Sequence, residues 1–375
     1  MLKNVNLLIK PASSLCDLRC RYCFYEDVSE NRAVKNQGRM THETAYALIR
    51  AAFAAVDGQG AVSFAFQGGE PTMAGLAFYR DFTALVNASR PLGVRVSYAL
   101  QTNGMLLDEK WARFLKENGF MVGVSVDGYR ELHDHYRLDA KGNTTYSRAA
   151  KAAALLQKQG VATNLLCVVT GQCAKHPQKA YDALKKLGIR YLQFIPCLDP
   201  LAGERGTAPF SLTPQLYGDF LCGLFDLWYR DWETGNYTSV RLFDDYVHLL
   251  MGFPASTCAT MGDCGNCLVV EGDGGIYPCD FYVLDPWKLG NVQDGKLEQL
   301  NRSALALRFL QEGNDRPAAC AHCRWKPLCN GGCRRDRIST PNGVENYYCA
   351  SFQRFFAYAG SRLNRIAQCE RRSMV

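Results

Sequence analysis

The chain has 375 residues, 47% apolar and 21% charged, with a formal net charge of +7. That length buries a full core and allows two domains. The composition excludes a membrane-spanning helix, since no run reaches about 18 apolar residues. No apolar leader with a small-residue cleavage site opens the sequence, so no signal peptide is expected and the compartment is read as cytoplasmic and reducing. Seventeen cysteines in such a compartment favour metal ligation over a disulfide framework. The positive charges are spread out apart from pairs such as Arg334-Arg335 and Arg371-Arg372, so neither nucleic acid nor a membrane is an expected partner.

Residues 5–195 alternate short apolar runs with longer amphipathic ones. Strands are expected at Val5–Lys10, Val62–Phe66, Val94–Leu100, Met121–Val126, Thr163–Val169 and Arg190–Ile195. Helices are expected at Glu43–Val56 (capped by Thr41), Leu76–Leu85, Asp108–Asn118, Tyr146–Gln159 and Lys175–Leu187. Repeated βα units imply a parallel sheet, because parallel strands need long crossovers. The fold class is α/β. An open (β/α)6 partial barrel fits better than a closed eight-stranded one, which takes about 250 residues. Thr213–Trp232 reads as a helix, with Trp228, Tyr229 and Trp232 as core.

Between the first strand and the first long helix stands Cys16-x3-Cys20-x2-Cys23. Thiolates hold iron–sulfur clusters, usually four cysteines to four irons. This loop supplies three, which leaves one iron open to bind a small molecule. The competing reading is zinc, although zinc sites usually close with four ligands at two paired spacings. In parallel sheets, chemistry gathers at the carboxyl ends of the strands. The second strand ends there in Gln67-Gly68-Gly69-Glu70-Pro71, the third in Gln101-Thr102-Asn103-Gly104, the fourth in Ser125-Val126-Asp127-Gly128, and the sixth in Cys197-Leu198-Asp199-Pro200. The Gly68-Gly69 pair lets backbone approach a ligand closely, and Glu70 beside it is placed to accept from an ammonium group. The C-terminal third is dense in thiols: Cys258, Cys264, Cys267, Cys279, then Cys320-x2-Cys323-x5-Cys329-x3-Cys333, then Cys349.

The triplet, with Tyr22 before its last cysteine, resembles the signature of the radical S-adenosylmethionine (SAM) enzymes. The C-terminal thiols, with Gly274 ahead of Cys279, resemble the SPASM extension of that superfamily. Along nearly the whole chain the sequence is similar to the anaerobic sulfatase-maturating enzymes, through Pro11-Ala12-Ser13-Ser14, Phe64 to Pro71, Gln193 to Pro200 and Tyr277-Pro278-Cys279-Asp280-Phe281-Tyr282. That resemblance implies a radical SAM barrel over residues 1–200, a bridging helical region over 201–255 and a SPASM domain over 256–375.

It implies three 4Fe–4S clusters: Cys16, Cys20 and Cys23 on the first; Cys258, Cys264, Cys279 and Cys333 on a second; Cys320, Cys323, Cys329 and Cys349 on a third. Cys267 competes with Cys264 on spacing alone. Tyr22, Gly68, Gly69, Glu70, Ser125, Arg137 and Leu198 would contact SAM, and Asp280 would be the base. The implied substrate is an unfolded sulfatase segment of Cys/Ser-x-Pro-x-Arg pattern, oxidised to Cα-formylglycine with a flavodoxin- or ferredoxin-type electron donor. The rival activities are thioether crosslinking or epimerisation by a related SPASM enzyme, and zinc binding without catalysis.

Overall fold

A computed structural model describes residues 2–56, 58–265, 267–341 and 343–373. Its main strands are β1 (Asn4–Ile9), β2 (Gln59–Phe66), β3 (Gly93–Thr102), β4 (Met121–Ser125), β5 (Ala162–Val169), β6 (Tyr191–Pro196), β7 (Ser239–Val240), β8 (Leu268–Val270) and β9 (Gly275–Tyr277). Its longer helices are α1 (His42–Ala55), α2 (Leu76–Ser89), α3 (Glu109–Glu117), α4 (Tyr146–Lys158), α5 (Pro177–Lys185), α6 (Pro214–Glu233), α7 (Arg241–Met251) and α8 (Cys349–Ser373). Two compact units divide the chain: residues 1–125, 133–164 and 265–309 form the first, and 126–132, 165–264 and 310–375 the second. The units cut across the linear division into 1–200, 201–255 and 256–375, because residues 265–309 complete the first unit.

In the first unit β1, β2, β3 and β4 run parallel in that order, with α1, α2 and α3 as the crossovers. The expected Thr41 cap forms, accepting from the Thr44 N–H at 3.2 Å, and Asp108, expected as the first residue of its helix, caps it instead, accepting from the Trp111 N–H at 2.9 Å. On the other side of β1 lies β8, also parallel, and β9 returns antiparallel to it. The sheet therefore takes an edge from a segment some 260 residues downstream of β1, an addition that sequence periodicity over three residues does not announce.

The core of this unit is aromatic. Phe66 meets Phe82 edge-on at 5.1 Å and Tyr79 at 4.9 Å, and Phe64 meets Phe82 at 5.2 Å. These four rings are buried, and edge-to-face pairs add to the burial term itself.

In the second unit β5, β6 and β7 pair in parallel. The helix expected over Lys175–Leu187 is shorter, spanning Pro177–Lys185, with a separate turn at Gly171–Ala174. Pro177 has no N–H to give to a preceding turn, so it starts a helix instead of continuing one. α6 packs on α8: Phe225 lies 5.7 Å from Phe355, and Asp226 accepts from Tyr358 and Arg362, each at 2.7 Å. Trp228 and Tyr229 are core, as expected, while Trp232 is half-buried. α8 runs 25 residues through a region whose sequence is dominated by cysteines and turns.

Truncation of Phe66 to alanine removes four ring contacts, to Phe78, Tyr79, Phe82 and Phe120, from a fully buried site. Phe66→Ala is expected to cost about 3–5 kcal/mol, read as a lowered urea midpoint with an unchanged slope.

Candidate functional site

The cysteine loop leaves β1 through Ser13, which adopts a left-handed φ of 52°. Ser13 Oγ accepts from the Gln37 N–H at 3.0 Å, which helps hold that conformation. Residues Leu18–Cys20 form a short antiparallel ladder with Arg137–Asp139, placing Cys20 opposite Arg137. Asn103, at the end of β3, donates to Asp17 at 2.7 Å from the other side. The triplet is thus fixed by two strand ends, with sulfurs that meet main-chain donors: the Leu18 N–H lies 3.3 Å from Cys16 Sγ.

Burial raises the Cys16 thiol far above the ordinary range, and burial likewise raises Cys23, against the backbone donors of Glu26 and Tyr25 and the charge of Arg137. Buried thiols with N–H donors and a nearby cation suit thiolates that a metal would ionise. Tyr22, within this loop, lies tilted 5.4 Å from Tyr136, with the Arg137 guanidinium 5.5 Å from its ring. Ser125 ends β4 and its hydroxyl accepts from Gln101 Nε2 at 3.1 Å. Leu198, in the second unit, is half-buried in the loop after β6.

The Gly68-Gly69-Glu70 segment packs against the cysteine loop. A Cβ on Gly69 would stand 2.7 Å from the Ser14 carbonyl carbon, and one on Gly68 would press on Ser13 and the Lys10 stem at 3.1 Å. The Gly69 N–H donates to Ser13 O at 3.0 Å and the Glu70 N–H to Leu15 O at 2.7 Å. The close approach that these glycines permit is to the cysteine loop, so the donors are already used.

Nor is the Glu70 carboxylate held ready for an ammonium group. It is buried, and it accepts from the Thr72 N–H and hydroxyl, the Thr102 hydroxyl and the Asn103 N–H. Burial pushes its carboxyl above the usual range despite those four donors. Glu70 ties the end of β2 to the end of β3 and sets Asn103 against the cysteine loop.

A second set of groups meets beside the triplet, and the sequence reading missed most of it. Asp280 Oδ2 accepts from the Tyr25 hydroxyl at 2.7 Å, and its Oδ1 lies 3.0 Å from Lys10 Nζ. Tyr25 also hydrogen-bonds Gln67. Burial first, then the Asp280 charge, hold the Tyr25 phenol well above its ordinary range, so it remains a donor. The sequence carries a faint signal for these residues: Tyr25 stands two places after Cys23, and Lys10 and Gln67 immediately follow β1 and β2.

Among the C-terminal cysteines, Cys320, Cys323, Cys329 and Cys349 line one cavity of about 240 Å³ with Trp325, Phe352 and Phe356. Burial and the neighbouring thiols push Cys329 up to about 11. Four thiols around one void of that size fit a cubane closed by four thiolates. Among the described residues, no three His, Cys, Asp or Glu side chains converge on a position for a single metal ion. Cys258, Cys264 and Cys333 lie in the second unit, where the charge of Cys258 acts on Cys264 and both act on Cys333. Cys279 and Cys267 lie in the first unit.

Residues 11–191 match the Radical SAM superfamily, and residues 262–324 match the SPASM iron–sulfur cluster-binding domain. A cysteine-type anaerobic sulfatase-maturating enzyme of Clostridium perfringens is 45% identical over 97% of this chain and 98% of its own. The chain belongs to the anaerobic sulfatase-maturating enzymes. A serine-type member from Klebsiella aerogenes is 33% identical over 94% of this chain and 84% of its own. The solved structure of native anSMEcpe with bound AdoMet and the Cp18Cys peptide superposes with a TM-score of 0.91, at 43% identity over 97% of this chain and 99% of that one. The α/β fold with a parallel sheet and a cysteine-rich extension is that of the family. Among the described residues, no helix is long and apolar enough to cross a membrane.

Two outcomes follow from the site. Glu70→Gln places an amide donor among hydrogen-bond donors and is expected to cost about 1–3 kcal/mol, seen in a chemical-denaturation midpoint. Cys329→Ala is expected to lower iron in the anaerobically reconstituted protein from about twelve to about eight atoms per chain, measured by metal analysis, with the SAM-cleaving activity of the N-terminal site retained.

Proposed function

We propose that this enzyme oxidises a cysteine in an unfolded sulfatase segment of Cys-x-Pro-x-Arg pattern to Cα-formylglycine. The observation that carries the choice of cysteine is the near-full-length identity of 45% to a cysteine-type maturase, against 33% to a serine-type one. In this reading Cys16, Cys20 and Cys23 hold the cluster whose open iron takes SAM. Tyr22, Ser125, Arg137 and Leu198, with main-chain carbonyls of Gly68 and Gly69, contact that cofactor. Glu70 supports them from within the protein. Cys258, Cys264, Cys279 and Cys333 hold one auxiliary cluster, Cys264 being favoured over Cys267 because the charge of Cys258 acts on it and both act on Cys333. Cys320, Cys323, Cys329 and Cys349 hold the other.

When bound, SAM and the clusters supply the one-electron chemistry, a 5′-deoxyadenosyl radical to remove the β-hydrogen and a sink for the electron left behind. The chain's own part is to hold the peptide, exclude water and take a proton. Asp280 takes the thiol proton, forming O–H as S–H breaks; the resulting thioaldehyde gains water and loses hydrogen sulfide to give the aldehyde. Tyr25, bonded to Oδ2, fixes the carboxylate and leaves the opposite oxygen for that proton. A flavodoxin- or ferredoxin-type protein is the proposed electron donor.

Anaerobic turnover of paired peptides differing only in Cys or Ser at the target position tests the reading by mass spectrometry. The cysteine peptide is expected to give the aldehyde, and to do so faster than the serine peptide. A loss of two hydrogens with both residues retained would identify a crosslinking enzyme instead. Asp280→Asn is expected to keep its iron and its production of 5′-deoxyadenosine while formylglycine falls at least about 100-fold; normal aldehyde yield in that variant would remove Asp280 from the scheme.

A further inference from the structure

The base in this scheme has one oxygen bonded to Tyr25 and one that is not hydrogen-bonded to anything. Asp280 Oδ1 is buried without a hydrogen-bond donor, yet Lys10 Nζ stands 3.0 Å away. The ammonium is close enough to attract but off the line of a hydrogen bond. Oδ1 is therefore tethered by charge and keeps its lone pairs.

Lys10 is an unusual residue at its position. It directly follows β1, its N–H donates to Val270 O at 2.8 Å, and only 3% of it is exposed. A lysine is almost never fully buried unless paired. Its stem passes Gly68: an added Cβ there would lie 3.1 Å from Lys10 Cγ and 3.2 Å from Lys10 Cβ, tighter than ordinary contacts. Gly68 also holds a φ of 130°, which side-chain-bearing residues rarely adopt. The ammonium then rests 4.5 Å from the centre of the Tyr25 ring, whose hydroxyl bonds the other Asp280 oxygen. Lys10, Tyr25 and Asp280 make a closed triangle, and the gap at Gly68 is what admits its cationic corner.

We propose that Lys10 is the positioning residue for Asp280, threaded past Gly68 so that its ammonium holds Oδ1 in place to receive the substrate's proton. The inference rests on the formylglycine reading and deepens it by naming the oxygen that reacts. The bond that breaks is the substrate S–H, and the bond that forms is O–H at Oδ1. The pair left on sulfur closes the C=S bond with the radical carbon, whose surplus electron leaves by the one-electron route already described. Lys10 itself neither gains nor loses a proton.

A lysine that only fills space and a lysine that aims a base differ in what their loss does to coupling. The test uses full-length enzyme, reconstituted anaerobically, with the cysteine peptide above. Lys10→Met and Lys10→Gln both remove the charge, and the second keeps a polar end if the first fails to fold. With iron content and SAM binding matched to the parent, either variant is expected to form at least tenfold less formylglycine per 5′-deoxyadenosine. Peptide KM should stay within twofold while kcat for aldehyde falls, and Lys10→Arg, which restores the cation, should recover coupling at least in part. An unchanged ratio of aldehyde to 5′-deoxyadenosine in a folded, iron-replete Lys10→Gln enzyme overturns the proposal. So does a loss confined to peptide KM, which would make Lys10 a substrate-binding residue. Failure of the parent enzyme to make any aldehyde would reject the underlying reading instead, and the two failures cannot be confused.

Discussion

The first unit depends on one pairing: three residues of β8 lie parallel to the end of β1. Leu7 is opposite Leu268 and Ile9 opposite Val270, and the Lys10 N–H continues the ladder onto Val270 O. Because side chains alternate along a strand, a slip of one residue would turn each buried side chain of β8 to the other face. The pairing therefore fixes the height and direction of everything that follows Val270. That includes the reversal into β9 and the turn carrying Cys279 and Asp280. A carboxylate so far along the chain reaches Tyr25 and Lys10 because the sheet accepts its segment as an edge.

The glycine pair at the end of β2 has a packing role beside the ligand approach usually suggested by two glycines and an acid. The structure shows two backbones packed together, with the Ser13–Leu15 turn filling the space where Cβ atoms would stand. The neighbouring carboxylate takes four donors from two strand ends. An acceptor with that many partners is a strut. It makes the geometry of the cysteine loop a property of β2 and β3, and those strands are in turn braced by the Phe64, Phe66, Tyr79 and Phe82 rings beneath.

The parts legible in the sequence were those with a period or a fixed spacing. Alternating apolar runs gave the parallel strands, Thr41 announced its helix, and the thiol spacing named the chemistry. What escaped had neither. β8 is three residues long, and its partner strand is remote, so nothing local distinguishes Leu268–Val270 from any apolar triplet. The break at Pro177 was visible as a proline, but helical periodicity on both sides masked it. Lys10, Tyr25 and Gln67 are residue types common on any surface. They become a site because β1, β2 and the cysteine loop end at one place, and a one-dimensional pattern does not encode that convergence.

Two buried cations bind the same downstream segment to the amino-terminal one. Arg32 Nη1 meets Glu271 Oε1 at 2.7 Å with both side chains nearly sealed from solvent, and Lys10 meets Asp280 at 3.0 Å. Neither pair is an efficient way to stabilise a fold, since desolvating two charges offsets most of their attraction. The geometry separates their roles. Glu271 directly follows β8, and its partner Arg32 also donates to Lys35 O, so that pair fastens the start of the segment to the loop after the cysteines. Asp280 lies nine residues further on, past the β9 reversal, where rotation of a carboxylate would cost little were one oxygen bonded only to a phenol. The first pair fixes where the segment begins. With that fixed, the second needs to restrain only one torsion, which a charge in contact but out of hydrogen-bond alignment can do while leaving the oxygen able to accept a proton.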